Sequence, residues 1–250
     1  MSESENAPAG GGFAHRPGRR TFAEWVLRLV LMLAGLVVAH LGVTLFILPM
    51  LGSDPFTIFV QGWSRITGLS VGTCHVIILC ILMVAMLLTT KGYVLPGTVV
   101  CSFCGGPIID LFSWLLGGVV NPELAMPLRI VAMLAGCVFL AAGMSMVIKS
   151  DAGTGANDLV AVILSDKLRR QFRWTRVGVD ICFAIVGFLL WLRFDVGHFF
   201  ENMSGLLLRS PLGIGTVAAA LLIGPLAQFF FPTMGRIANA AVARFIGRQK

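Results

Sequence analysis

The sequence predicts an all-α integral membrane protein with six transmembrane helices in two inverted-topology repeats of three spans. Three observations predict this class. The 250 residues are 57% hydrophobic and 12% charged, with a mean hydropathy of +0.89, whereas soluble domains carry about 25% charged residues. Several apolar runs reach the roughly 20 residues that a transmembrane helix needs. The second half of the chain also repeats the pattern of the first.

The net charge of +7 does not indicate a nucleic-acid partner. The basic residues lie in the tails and in short connections between apolar runs, where the positive-inside rule places them in membrane proteins. The lipid bilayer is therefore the expected partner, and a homo-oligomer stays an open alternative. All six cysteines lie inside apolar runs, which is typical of small buried side chains rather than of a disulfide framework.

The first half of the chain begins with a tail and continues with three predicted spans. Residues 1–22 are rich in Gly, Pro, Ser and charge without periodicity, and we expect a disordered cytoplasmic tail. The apolar run that follows is too long for a cleaved signal peptide, whose apolar core has about 7–15 residues. The pattern predicts a span at 24–49, a short helix at 54–66 and spans at 71–90 and 94–118.

The second half has the same predicted order. A span at 126–149 precedes a short helix at 155–170, and spans follow at 176–194 and 211–231. The chain thus divides into repeat 1 (23–120), repeat 2 (121–232) and a basic amphipathic tail (233–250), which is expected to lie on the cytoplasmic membrane surface.

The distribution of basic residues predicts that both termini are cytoplasmic. With six full spans, the basic loop 167–176 and the basic tails lie on the same side of the membrane, as the positive-inside rule requires. If the two short helices also crossed the bilayer, this loop would lie outside. We therefore expect that the short helices do not cross.

The internal repeat is visible as matched sequence. A shift of 101 residues places LRLVLMLAGLVV (27–38) on LRIVAMLAGCVF (128–139), and larger shifts pair Gly97-Thr98 with Gly215-Thr216 and Gly106-Pro107 with Gly224-Pro225. Because each repeat has three spans, the second must enter the membrane from the opposite side. Many secondary transporters share this arrangement and bind their solutes near the membrane centre.

The repeat also pairs Arg28 with Arg129. Arg129 would lie on the outer side, where the charge rule disfavours it. Its long side chain is expected to snorkel to the membrane surface.

A Gly-rich break follows the first span of each repeat. Glycine lets the chain leave helical geometry, and Ser53 or Asp54 can cap a helix that begins at Pro55. Asn157 or Thr154 is expected to do the same in repeat 2. Helix N-termini attract anions and polar groups, whereas the carboxylates here fit a cation, a proton or a zwitterion; the alternative is an ordinary loop with a capped interfacial helix. The candidate substrate-binding residues of the breaks are Gly52, Ser53, Asp54, Gly153, Thr154, Gly155, Asn157 and Asp158.

Polar residues inside the spans add further candidates. Asp110 and Gln228 occupy matched positions in the two repeats, as do Thr98 and Thr216. Intramembrane ionisable residues are candidates for function because burial of their charge is costly, although the nearby Pro and Gly also fit a purely structural role in kinked packing. We interpret these four as polar lining of a solute site.

Asp180 and His75 are the candidates for proton or ion coupling. Histidine titrates near neutrality and a buried carboxyl has a raised pKa, so the two types together can carry protons. The alternative is that Asp180 pairs with Arg173 or Arg176 near the surface, and that His40 and His75 make hydrogen bonds between helices.

No motif predicts an enzyme, a metal or a cofactor. Cys101 and Cys104 have the CxxC spacing, but their repeat partners Ala219 and Leu222 carry no thiol. No HExxH, P-loop or dinucleotide fingerprint is present. We expect no catalytic residue and no metal site.

The chain resembles the YczE/YitT group of bacterial multi-pass membrane proteins over about residues 26–232. GVTLFILPMLGSDPF, the paired GT…GGPIID and GIGT…GP segments, and GTGANDLV with Arg176 and Asp180 carry the resemblance. The first break has Asp54-Pro55 where the second has Gly-Ala, so the two differ in chemistry. The resemblance implies a bacterial cytoplasmic (inner) membrane and little about a substrate.

Together these patterns predict a secondary transporter or permease for a small polar or charged solute, with alternating access between the repeats. The competing interpretation is a membrane protein that does not transport and acts as a regulator or interaction partner.

Overall fold

The computed structural model describes residues 21–90, 93–170, 172–192 and 212–247. All regular secondary structure in these ranges is helical. The predicted disordered tail lies outside the described residues except for its last two positions, and so does the connection before the last span.

Eight helices form the described part of the chain. They are α1 (Phe22–Ile47), α2 (Pro55–Thr67), α3 (Val71–Thr89), α4 (Pro96–Leu116), α5 (Met126–Ser150), α6 (Ala156–Leu168), α7 (Phe172–Trp191) and α8 (Ile214–Gly247). Six of them, all except α2 and α6, are long and apolar enough to cross a membrane. The prediction of a helical membrane protein with six candidate spans is confirmed. The two short helices have 13 residues each, fewer than the roughly 20 that a span needs.

Local sequence explains where the helices begin. Asp54 is the N-cap of α2, where its carboxylate accepts a hydrogen bond from the Thr57 N–H, and Pro55 is the first helical residue. The expected cap of α6 by Asn157 or Thr154 is wrong. Gly155 occupies that position, and the Asn157 amide donates instead to Asp158.

The last helix is longer than the sequence predicted. α8 continues through Pro225 and Pro232 to Gly247, so the basic segment after 232 continues the same helix as far as the structure describes it. A proline removes one backbone hydrogen bond, but in α8 it does not end the helix.

α1 and α5 pack at glycines. A Cβ built on Gly42 would overlap the backbone of Leu140 and Gly136, and a Cβ on Gly143 would overlap the backbone of Ala39. Small residues let membrane helices approach to backbone contact. This pair forms the centre of the bundle.

Each first-span arginine reaches the break that follows the opposite first span. Arg129 Nε and Nη2 donate hydrogen bonds of 2.9 and 2.6 Å to the Pro49 carbonyl, and Arg28 Nη1 donates one of 3.0 Å to the Ser150 carbonyl. Arg129 is only 6% exposed. It therefore does not snorkel to the surface, because the unpaired carbonyls at the end of α1 offer it a closer partner.

The breaks also receive the N-termini of α4 and α8. The Gly97 N–H donates to the Ala152 carbonyl (3.0 Å), and the Gly215 N–H donates to the Leu51 carbonyl (2.8 Å). Gly52 and Gly153 have φ values of +126° and +145°, which L-residues rarely adopt. These two glycines fix the contact between each break and a distant span.

Candidate functional site

A cavity of about 740 Å³ lies among all eight described helices, and α4 contributes only Cys101 to its lining. Its volume falls within the roughly 300–1,000 Å³ typical of small-molecule sites. Most lining side chains are apolar. The polar lining residues are His40, Asp54, Thr57, His75, Asn157, Asp158, Arg176, Asp180, Thr216 and Gln228.

The cavity brings together part of the predicted site. The predicted residues that line it are Asp54, Gly155, Asn157, Asp158, Asp180, His75, Thr216 and Gln228. Both short helices contribute their N-terminal ends, so the two breaks meet at one cavity. Gly52, Ser53, Gly153, Thr154, Thr98 and Asp110 are not in this lining.

The excluded residues have other contacts. Gly52 and Gly153 lie against the backbones of Thr216 and Thr98, and the Ser53 hydroxyl accepts a hydrogen bond from Gln61. The Asp110 carboxylate accepts hydrogen bonds from the Ser70 hydroxyl (2.5 Å) and the Gly72 N–H (2.8 Å). Asp110 therefore joins α4 to α3.

Arg176 connects two of the acidic residues. Its Nη1 lies 2.5 Å from Asp158 Oδ1, and its Nε lies 3.0 Å from Asp180 Oδ2. The predicted alternative partner of Asp180 is thus the observed one. Arg176 was not among the predicted site residues, although its spacing of four residues from Asp180 would place the two on one helix face.

Asp54 is the third carboxylate of the cavity and has no ion-pair partner among the described residues. One oxygen caps α2, whereas the buried Oδ1 receives no hydrogen bond from any described residue. Burial raises the pKa of Asp54, and the contacts with Thr57 and the charge of Arg176 offset this only in part.

His40 and His75 form a pair on the cavity wall. Their ring centroids are 5.3 Å apart in an edge-to-face arrangement, and His40 Nδ1 lies 2.8 Å from the Leu36 carbonyl. Both rings lie against Gly105, where a Cβ would be 2.7 Å from His40 Nε2 and 3.0 Å from His75 Nε2. His75 and Asp180 line the same cavity, but each has its own partner.

Two matched pairs of spans are packed differently. α3 and α4 touch at Gly72 and Gly106, where a Cβ on either residue would overlap the backbone of the other. The repeat partners of these residues are Gly178 on α7 and Gly224 on α8. A Cβ on either would meet no described atom within 4 Å. The cavity lies between α7 and α8 on this side.

The thiols and other potential ligands do not form a metal centre in the described part of the chain. The cysteines there are free, and the Cys101 thiol donates to the Met32 sulfur at 3.7 Å.

Comparison with known proteins gives a family. Residues 26–232 match the model of a family of unknown function, DUF6198. The uncharacterized membrane protein YczE of Bacillus subtilis (strain 168) is 27% identical over 223 residues, which cover 88% of this chain and 93% of that protein. The uncharacterized protein YyaS of the same organism is 25% identical over 203 residues, covering 81% and 91%.

A third relative comes from Haemophilus influenzae. This uncharacterized protein is 25% identical over 210 residues, 83% of this chain and 84% of its own. No solved structure matches. The matches confirm the predicted resemblance to the YczE group.

Proposed function

The chain belongs to the DUF6198 family of unknown function, and we propose that it is a secondary transporter of a small polar or charged solute. In this proposal it has no enzymatic activity, lies in a bacterial inner membrane with both termini cytoplasmic, and works by alternating access. The observation that carries the proposal is the unequal packing of the α3–α4 and α7–α8 pairs.

The proposal rests first on an inverted repeat, which several contacts support. The bond from Arg28 to Ser150 becomes the bond from Arg129 to Pro49 when each residue is replaced by its repeat partner. The bond from Gly97 to Ala152 likewise becomes the bond from Gly215 to Leu51. Contacts that exchange in this way are those of two units related by a two-fold axis. For repeats of three spans, that axis lies in the membrane plane.

When each residue of the α3–α4 contact is replaced by its repeat partner, no corresponding α7–α8 contact is found. Gly72 touches Gly106, but a Cβ on either repeat partner, Gly178 or Gly224, would meet no described atom within 4 Å, so these two residues are not in the corresponding contact. A symmetric static bundle would have both pairs packed or both open. Two units of similar sequence in different arrangements are what alternating access predicts, since the second state exchanges the two arrangements.

The proposed orientation of the chain in the membrane determines which side of the membrane the cavity opens to in the described state. With a cytoplasmic N-terminus, α3 begins on the outer side and α7 begins on the cytoplasmic side. The α3–α4 contact then closes the outer side, and the cavity opens between α7 and α8 toward the cytoplasm. The two 13-residue helices α2 and α6 stay on their own sides and present their N-terminal ends to the cavity without crossing.

Side-specific labelling of single cysteines tests this proposal. In a background without the six native cysteines, Ala184→Cys in the cavity wall and Val76→Cys at the α3–α4 contact would be reacted with a membrane-impermeant maleimide. Inside-out vesicles should label Ala184→Cys rapidly, and right-side-out vesicles should label Val76→Cys slowly, at the rate at which the outer side opens. Val131→Cys on the exposed face of α5 controls for reaction within the lipid. Complete protection of Val76→Cys from outside, or labelling of both positions from one side only, would contradict alternating access.

A further inference from the structure

We infer that the cavity binds an organic cation with an apolar body, whose positive charge lies next to the Asp54 carboxylate. This inference rests on the proposed function and narrows its solute class. It comes from three properties of the cavity: an excess of carboxylates, one carboxylate without a cationic partner, and walls in which most of the other side chains are apolar.

The charges in the cavity do not balance. Asp54, Asp158 and Asp180 are carboxylates, and Arg176 is the only Lys or Arg among the described residues of the lining. Arg176 already contacts both Asp158 and Asp180. Asp54 is left without an ion pair within the described chain, and an uncompensated charge away from water is costly. A cationic solute supplies the missing charge.

The same arrangement disfavours an anion. Within the described part of the chain, Arg176 is the only permanent cation that lines the cavity, and two of its nitrogen donors are occupied by carboxylates. An anionic solute would have to displace one of them and would then face all three acidic groups. Electrostatic complementarity therefore favours a positive solute.

The apolar side chains of the cavity lining determine the chemical character of the uncharged part of the solute. α5 contributes Leu140, Met144 and Val147, and α8 contributes Ala219, Ile223 and Phe231. Against these side chains a sugar-like molecule would lose more hydrogen bonds to water than the few uncharged polar side chains, such as Asn157, Thr216 and Gln228, can replace, and each unreplaced bond costs free energy. A solute with hydrocarbon or aromatic groups would instead gain from their burial. The proposed ligand therefore has one charged end and an apolar remainder.

A pair of probes with the same shape and opposite charge tests the inference. Tetraphenylphosphonium and tetraphenylborate both carry four phenyl groups, so they differ mainly in the sign of the charge. Equilibrium dialysis with the purified full-length protein in detergent should show saturable binding of the phosphonium. Tetraphenylborate should show only the non-saturable uptake that detergent alone gives.

Asp54→Asn should weaken phosphonium binding by about tenfold, since it removes the unpaired charge. Asparagine is as good an N-cap as aspartate, so α2 should remain folded, and Asp54→Ser provides a second capping variant. Glu123→Gln removes one negative charge from an exposed loop position and should leave the affinity unchanged.

The outcomes separate this inference from the proposed function. Equal binding of both probes, absence of phosphonium binding, or unchanged affinity in Asp54→Asn would overturn the cation site, whatever the vesicle labelling shows. Specific phosphonium binding together with permanent protection of Val76→Cys would support the site and overturn transport.

Discussion

The backbone N–H of Gly72 donates a hydrogen bond of 2.8 Å to the carboxylate of Asp110, which ties the first turn of α3 to α4. The Ser70 hydroxyl donates to the same carboxylate. The repeat partner of Asp110 is Gln228, which faces the cavity on the side where the spans are separated. Asp110 thus closes the proposed outer side rather than lining the solute site, and its partner is free of the corresponding contact in the proposed inward-facing state.

Removal of the Asp110 carboxylate should open the outer side. Asp110→Ala eliminates two hydrogen bonds to a charged acceptor, each contributing about 1.5–3 kcal/mol. We expect the labelling rate of Val76→Cys in right-side-out vesicles to rise by about tenfold or more. Glu123→Gln provides the matched loss of an acidic charge, and an unchanged rate in Asp110→Ala would exclude a role of this residue in closure.

A large side chain at Gly178 should prevent the transition from the proposed inward-open state to the outward-open state. The described state has space around Gly178, so Gly178→Leu should fold with a melting temperature close to that of the parent. In the alternate state the same side chain would meet Gly224 on α8. Labelling of Val76→Cys from outside should therefore fall below detection. Gly118→Leu, which also lies in open space but after α4, should have no effect on that rate, and normal labelling in Gly178→Leu would contradict closure of α7 onto α8.

The two first-span arginines should differ in their contribution to stability. Arg129→Gln leaves the Pro49 carbonyl without its two hydrogen bonds in a buried site, which costs about 1–3 kcal/mol. For a protein of this size each kcal/mol lowers the melting temperature by about 2–4 °C. Arg28 makes one bond to Ser150 and is less deeply buried, so Arg28→Gln should lower the melting temperature less. Equal decreases in melting temperature for the two variants would indicate that burial of the guanidinium does not determine how much each arginine contributes to stability.

Binding of the cationic probe should weaken as the pH falls. Burial raises the pKa of Asp54, so a proton competes with the cation at a higher pH than it would at an exposed aspartate. The groups facing Asp54 across the cavity are Asp158, Arg176, Asp180, His40 and His75. Because a change of pH can act on other ionisable groups as well, the measurement is the difference in pH dependence of phosphonium affinity between the parent and Asp54→Asn. Phosphonium affinity should decrease with falling pH in the parent and vary less in the variant.

The stability of the unliganded protein should change with pH in the opposite direction to the affinity for the probe. A folded-state pKa above the unfolded value means that the folded chain binds the proton more tightly, so stability increases as the pH falls through the raised pKa. Asp54→Asn should remove this contribution. A parent and variant with parallel stability curves between neutral and acidic pH would show that Asp54 is not buried as described.

The membrane class and the spans were predictable because hydrophobic length is a local property of the sequence. The predicted first span at 24–49 and the observed Phe22–Ile47 differ by two residues at each end. The last span was predicted at 211–231, and the helix that contains it continues to Gly247, past the proline and basic residues that suggested a helix end. Helix ends depend on packing as well as on sequence.

The site was predictable only in part, because tertiary partners are not visible in a local pattern. Asp54, Asp158 and Asp180 were identified as charges near the breaks, and all three line the cavity. Thr98 and Asp110 are also polar but lie outside the cavity lining: Asp110 accepts hydrogen bonds from α3 and from the residue that caps it, and the buried Thr98 hydroxyl has no hydrogen-bond partner among the described residues. The contact of Arg176 with Asp158 and that of Arg129 with Pro49 became apparent only with the structure, because an arginine in an apolar context fits a surface position equally well.

The most direct test of alternating access is a pair of distances measured by pulsed electron paramagnetic resonance. One pair of spin labels, at Val177→Cys and Phe229→Cys, reports on α7 and α8, and a second pair, at Leu69→Cys and Leu111→Cys, reports on the start of α3 and on α4; all four positions are exposed. Introduction of Asp110→Ala should shorten the α7–α8 distance and lengthen the α3–α4 distance. Two distances that stay fixed, or that change in the same direction, would contradict the exchange of packing between the two pairs of spans.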